Sequence, residues 1–232
     1  MRFVILRKKR VIAVFLMVLI ALATCGGVAL ATTFASPKSY ATVVIDAGHG
    51  GIDSGVVGKG GLKESKFNLT MSKELGSYLS DSGFRVIYTR KDDNGLYGDA
   101  TDEFKKKDMA ARKKTIQKYN PDFVISVHAN KFPGDDRRGA QVFYDSMSAD
   151  GKSLAEKVQA NFNAINSECV GREYEALSGD YYMLKCTLKP SIIVECGFLS
   201  NIEDEKLLSD KDYRARLCKA ICDGIGSFLD ER

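Results

Sequence analysis

Thr42-Val43-Val44-Ile45-Asp46-Ala47-Gly48-His49-Gly50-Gly51 sets a pattern that the chain uses three times. A short Val/Ile-rich run that stops at glycines reads as a buried strand, and the glycines permit the tight backbone that follows it. The same design recurs in Asp122-Phe123-Val124-Ile125-Ser126-Val127-His128-Ala129-Asn130 and in Ser191-Ile192-Ile193-Val194-Glu195-Cys196-Gly197-Phe198. The chain holds only two histidines, and each falls just past such a run; the third run delivers a carboxylate. In a parallel sheet the carboxyl ends of several strands meet at one rim, where ligands bind. Two imidazoles and carboxylates brought to that rim make a metal site the leading expectation.

Working outward, strand and helix patterns alternate, which predicts an α/β fold. Strands are expected at 42–47, 84–89, 122–128, 140–145 and 191–196, and helices at 66–82, 104–119, 151–167 and 210–229. Phe67, Met71, Leu75, Tyr78 and Leu79 repeat at helical spacing, and Gly83 follows as a stop. Leu154, Val158, Phe162 and Ile165 do the same further on. The polar stretches 91–103 and 129–139 read as loops that flank the rim. No repeat, low-complexity stretch or second domain is expected.

The domain plan is a leader over 1–35, a spacer over 36–41 and one catalytic domain over 42–232. Arg2, Arg7, Lys8, Lys9 and Arg10 precede an unbroken apolar run, Val11 to Ala23, which is the layout of an export signal. Small-residue cleavage sites stand at Ala29-Leu30-Ala31 and Thr33-Phe34-Ala35; uncleaved, Val11 to Ala35 is long enough to remain as a membrane anchor. Thr24 before Cys25 fits a lipidation site poorly. Five of the 34 Lys and Arg lie in this leader, which has no acid, so residues 36–232 carry 29 basic against 30 acidic residues, net −1. The charge therefore gives no reason to expect nucleic acid, and a membrane is expected only through the N-terminal segment. A basic leader places the folded part outside the cytoplasm. Beyond Cys25 the cysteines are Cys169, Cys186, Cys196, Cys218 and Cys222. That odd number, and the absence of any CxxC, favours buried free thiols over a disulfide framework or a thiolate metal site.

Nucleotide binding fits poorly. A dinucleotide fingerprint on Gly48 and Gly50 needs a third glycine at 53, which is Asp53, and Gly151-Lys152-Ser153 lacks its leading glycine at Ser146. The glycines around His49 are expected instead to let a metal and a bulky substrate approach. A single strand-end histidine is more often structural than a ligand. Two, with no others in the chain, point to zinc, which takes imidazole nitrogens together with a carboxylate and keeps an open place for water. Spacing alone leaves that carboxylate open: Glu64 is the first candidate, although it also reads as a helix-start acid complementing the dipole, and Asp46 and Asp53 are rivals. Asp46 is alternatively the acceptor that orients a ligand imidazole. Glu195 lies in an apolar run, where burial raises a carboxyl pKa into the range of a general base. The competing reading pairs it with Arg90 or Arg112.

Val44 to Gly51, Glu64, Ser126-Val127-His128-Ala129-Asn130 and Val194-Glu195-Cys196-Gly197-Phe198-Leu199-Ser200-Asn201, in this order, resemble the zinc-dependent N-acetylmuramoyl-L-alanine amidases of bacterial cell walls. The likeness runs over about residues 42–229. Ala47 stands where the family often has proline, a departure that touches no ligand. The resemblance implies zinc held by His49, Glu64 and His128, a catalytic Glu195, and a single α/β domain with a twisted, mostly parallel sheet flanked by helices. The substrate implied is peptidoglycan, cut at the amide between the lactyl group of muramic acid and L-alanine. The short leader, the lack of wall-binding repeats and the block Tyr181-Tyr182-Met183-Leu184-Lys185 are similar to the germination-specific, spore-cortex type. That type implies cortex processing ahead of muramic-δ-lactam formation, in the forespore intermembrane space, and a partner lipoprotein in some relatives. The alternatives are a vegetative wall autolysin of the same chemistry and a zinc carboxypeptidase. The latter needs an arginine free to bind a terminal carboxylate, for which Arg90, Arg112 and Arg138 are available.

Overall fold

The computed structural model describes Met17 and residues 41–99 and 102–232. The expected leader therefore lies outside the described residues except for Met17. Ser39–Arg232 forms one compact unit.

Six strands, β1 (Thr42–Ala47), β2 (Arg85–Tyr88), β3 (Phe123–Asn130), β4 (Gln141–Tyr144), β5 (Leu177–Ser178) and β6 (Ser191–Phe198), form one sheet in the order β2-β1-β3-β6-β4-β5. All neighbours run parallel except β4 against β6. Among the described residues five helices flank it: α1 (Glu64–Asp81), α2 (Phe104–Tyr119), α3 (Ala149–Cys169), α4 (Ile202–Ser209) and α5 (Lys211–Asp230). A short 3₁₀ helix spans Tyr182–Lys185. The expected mixed, mostly parallel α/β sheet is present. From β1 the chain passes to β2 on one side and then returns to β3 on the other. The strand order thus reverses beside β1, and a crevice at such a reversal is where open α/β sheets bind ligands.

Strand alternation sorts the side chains onto two unlike faces. Val43, Ile45, Phe123, Ile125, Val127, Ile192 and Val194 share a large core with residues of α1, α3 and α5, among them Met71, Leu75, Val158, Phe162, Leu217 and Ile221. The opposite face has a small core of Val44, Val124, Ile116, Met183 and Cys186. By the two-residue period Asp46, Ser126, His128 and Glu195 belong to this thinner face. Only Arg112 and Ile116 of α2 are buried, so that helix covers the thin face largely with an arginine.

Three elements depart from the sequence expectation. The segment 202–209 is helical: Asn201 caps it, its Oδ1 accepting the Glu203 and Asp204 N–H groups at 2.9 and 3.1 Å. β5 and the 3₁₀ helix are too short to show a period. All five described cysteines are free, with Cys186, Cys196 and Cys218 buried, as expected.

Candidate metal centre

The rim gathers three of the expected residues. His49 leaves the end of β1, His128 sits near the end of β3, and Glu64 is the first residue of α1. One ligand atom from each lies within 4.8 Å of those of the other two. One atom joins them: Glu64 Oε1 is 3.1 Å from His49 Nε2 and 3.0 Å from His128 Nδ1. The ring centroids are 5.2 Å apart, edge to face. The register of β3 and β6 then sets Glu195 directly opposite His128.

Glu64 is both a helix-start acid and part of this cluster. It is buried, and its second oxygen, Oε2, accepts the Val56 N–H at 2.8 Å. Burial disfavours its charge, but the hydrogen-bonded imidazoles of His128 and His49 outweigh that and hold it well below the usual carboxylate range. For His49, burial opposes the imidazolium, yet Glu64 and then Asp53 push the group up to about 9. His49 Nδ1 lies 2.9 Å from Asp53 Oδ2. A carboxylate there accepts a hydrogen bond from Nδ1–H, and in the neutral ring that leaves the Nε2 lone pair towards Glu64. An imidazole lone pair and a carboxylate oxygen at 3.1 Å repel unless a cation or a second proton lies between them.

Asp53 is thus the acid that orients His49, a role the sequence reading considered for Asp46. Asp46 instead serves the scaffold. Arg112 Nη1, Thr89 Oγ1 and Ser126 Oγ each donate to it at 2.7 Å. Although burial opposes its charge, Arg112 and these hydroxyls keep its carboxyl below its ordinary value.

The turn that presents His49 is strained and strongly held. His49 adopts φ 60°, in the left-handed region that non-glycine residues rarely occupy. Such a conformation costs on the order of 1–3 kcal/mol and persists where its surroundings enforce it. Two buried guanidiniums supply that enforcement. Arg112 donates to the carbonyls of Ala47 and His49 at 2.7 and 2.6 Å. Arg90 donates to those of Ala47, Gly48 and Ser65 at 2.8, 2.9 and 2.7 Å. Neither arginine pairs with Glu195, which disposes of the ion-pair reading. Gly48 is required for space, because a Cβ there would stand 2.2 Å from the His128 ring. At Gly48 that room is taken by the His128 ring, and Gly48 also lines a cavity beside His49. The N–H groups of Gly50 and Gly51 are also spent, on the carbonyls of Asp53 and Asp93.

Glu195 stands in contrast. Its Oε2 is shut off from solvent with no hydrogen-bond partner. Burial raises its pKa; His128 and His49 pull the other way and Glu64 adds to the rise, leaving the group at about 7. It borders a cavity of about 300 Å³ whose apolar wall includes Phe104, Met109, Tyr181, Tyr182, Met183 and Ile193. On the other side a more open groove is lined by Glu64, Asn130 and Lys131. His49, His128 and Glu195 border both spaces, so a substrate that fills the two lays its central bond over them.

A cleft with an unpartnered acid at its centre and room for substrate on either side has the form of an enzyme active site. The chain belongs to the N-acetylmuramoyl-L-alanine amidases, enzymes that act on peptidoglycan: the family's profile matches residues 43–227. It is 33% identical over 199 residues to the germination-specific N-acetylmuramoyl-L-alanine amidase of Bacillus subtilis, covering 84% of this chain and 83% of that protein. Among solved structures it is similar to the CwlD amidase of Clostridioides difficile, determined in complex with the GerS lipoprotein. The TM-score is 0.77 at 34% identity, covering 83% of this chain and all (100%) of that one. The catalytic domain of CwlV from Paenibacillus polymyxa gives 0.69 at 29% identity, covering 82% and 99% of the two chains.

Proposed function

We propose that the chain is a zinc-dependent amidase in which His49, Glu64 and His128 hold the metal and Glu195 is the catalytic acid–base. The observation that carries this reading is the single oxygen, Glu64 Oε1, facing two imidazole nitrogens at 3.0 and 3.1 Å, with the unpartnered Glu195 opposite. Zinc bonds of about 2.0–2.2 Å in tetrahedral array set neighbouring ligand atoms roughly 3.3 Å apart. The His–Glu spacings are close to that value, and the donor set of two imidazoles and a carboxylate suits zinc.

When bound, zinc supplies Lewis acidity, lowering the pKa of a water towards about 7 and polarising the scissile carbonyl. This chain's own residues do the rest. Glu195 accepts a proton from the attacking water and passes it to the leaving nitrogen of L-alanine. Its raised pKa suits both directions of transfer near neutral pH. Asp53 keeps His49 in the tautomer that turns Nε2 inward. Arg90 and Arg112 keep the His49 backbone in place.

The carboxypeptidase alternative is less well supported, because two of its candidate arginines are taken up by backbone carbonyls and the third already pairs with an acid. Arg90 and Arg112 are committed as described, and Arg138 Nε donates to Asp204 Oδ1 at 3.1 Å. The bond we assign is the amide between the muramic lactyl group and L-alanine. The kinship with the germination-specific enzyme supports a role in the spore cortex, ahead of muramic-δ-lactam formation, rather than in vegetative autolysis. The CwlD–GerS complex supports a lipoprotein partner, and the basic leader supports export to the forespore intermembrane space, with or without a retained anchor. Mass spectrometry of digested cortex peptidoglycan tests the reaction: free lactyl ends on muramic acid together with stem peptides bearing a new L-alanine amine are expected. Release of only a C-terminal amino acid would contradict it.

A further inference from the structure

The glycine-rich approach to Glu64 closes around a second buried acid. Val56 to Glu64 form a small hairpin: Val57 bridges Lys63, Gly58 N–H donates to the Leu62 carbonyl at 2.9 Å, and Glu64 N–H donates to the Val56 carbonyl at 2.8 Å. Its open end carries both Glu64 and the Val56 N–H that binds Glu64 Oε2. Its tip is held from far along the chain. Glu205, on α4, accepts the Gly60 N–H on Oε2 at 2.6 Å and the Leu62 N–H on Oε1 at 2.8 Å. The fit is close, since a Cβ on Gly58 would stand 2.4 Å from the Glu205 carboxyl carbon.

Glu205 is buried, and among the described residues no Lys, Arg or His forms an ion pair with it. Burying a carboxylate that has only backbone donors is costly unless those bonds are short and charge-assisted, as these are. Its neighbour Asp204 does parallel work at the other acid. Asp204 Oδ2 accepts the Phe198 N–H at 2.9 Å, three residues after Glu195 on β6, and the Gly139 N–H at 2.7 Å. Consecutive residues of one short helix thus tie down the segments that carry Glu64 and Glu195.

We infer that Glu205 is a positioning residue for metal binding: it pins the hairpin tip so that Glu64 meets His49 and His128 at ligand spacing. The inference rests on the zinc reading above. In Glu205→Ala the tip loses both anchors and Glu64 samples other positions, so zinc affinity falls by about tenfold or more, the range seen when outer partners of metal ligands are removed. Glu205→Gln keeps one acceptor oxygen and falls between. Gly58→Ala, which drives a methyl into the carboxylate, reproduces the loss from the opposite side and serves should Glu205→Ala not fold.

The test is the zinc Kd of the full chain, measured by chelator competition and paired with the Tm of the metal-free protein. Phe162→Leu is the structural control. It trims a side chain of α3 that is fully buried in the large core, and should lower Tm while leaving Kd within about twofold of wild type. A wild-type Kd in Glu205→Ala, set against lost binding in Glu64→Ala, overturns the inference alone. Zinc retained by Glu64→Ala overturns the ligand assignment and this inference with it.

Discussion

The two halves of the rim are built on opposite terms. On the β1 side the charged groups are all partnered: Asp46 takes three donors, Arg90 and Arg112 grip five backbone carbonyls between them, and Asp53 holds His49. On the β6 side, two strands away beyond β3, Glu195 has a carboxylate oxygen left unsatisfied. Satisfied polar networks are rigid, whereas an unsatisfied buried group stores free energy that a ligand or a proton can release. The first half is suited to holding a cation in place, and the second to exchanging a proton.

The largest expected effect comes from removing the charge of the unsatisfied side. Glu195→Gln should retain zinc and lower kcat by about 10²–10⁴-fold, the usual weight of a positioned acid–base. Lost zinc with activity retained would reverse the roles of the two halves. Next is the satisfied side. Arg112→Met leaves Asp46 buried without its cation, and breaking a buried pair in that way costs about 3–5 kcal/mol. Urea unfolding should show an unfolding free energy lower by that amount. A loss below about 1 kcal/mol would mean that the network does not hold the His49 turn.

The smallest effect has a sign set by linkage. The Glu195 carboxyl titrates at about 7 in the fold against an ordinary 4.5, so the folded state binds that proton more tightly than the unfolded chain. The ionised side chain therefore costs stability in full above pH 7, and the cost fades as pH falls towards 4.5. In metal-free protein Glu195→Gln should gain about 1–3 kcal/mol at pH 8 and nothing at pH 4. Thermal melts at the two pH values read the difference; an equal shift at both would show that the carboxyl is not destabilised by its surroundings.

The same contrast explains what the sequence made legible. His49, His128 and Glu195 stand out because each interrupts or ends a β-branched run, and a parallel sheet must bring such ends together. Glu64 has no such signal. Its place just ahead of a helix made it the first candidate over Asp46 and Asp53 without separating a ligand from a helix-start acid, and the family likeness then implied the ligand role. The exchange of roles between Asp46 and Asp53 was hidden because it depends on which way a left-handed turn aims a ring. Arg90, Arg112 and Glu205 act on backbone groups up to 145 residues away, and no local pattern reports a contact of that kind. The helix α4 did carry a signal, Asn201 followed by Glu203, Asp204 and Glu205, which is the composition of a capped N-terminus. β5 and the 3₁₀ helix had none.

The central claim is that one zinc ion is shared by His49, Glu64 and His128, and elemental analysis of purified protein tests it most directly. About one zinc per chain is expected in the wild type and in Glu195→Gln, as for a site with one closed set of protein ligands, with occupancy falling away in His49→Ala and in His128→Ala. Full occupancy in both histidine variants would contradict the account.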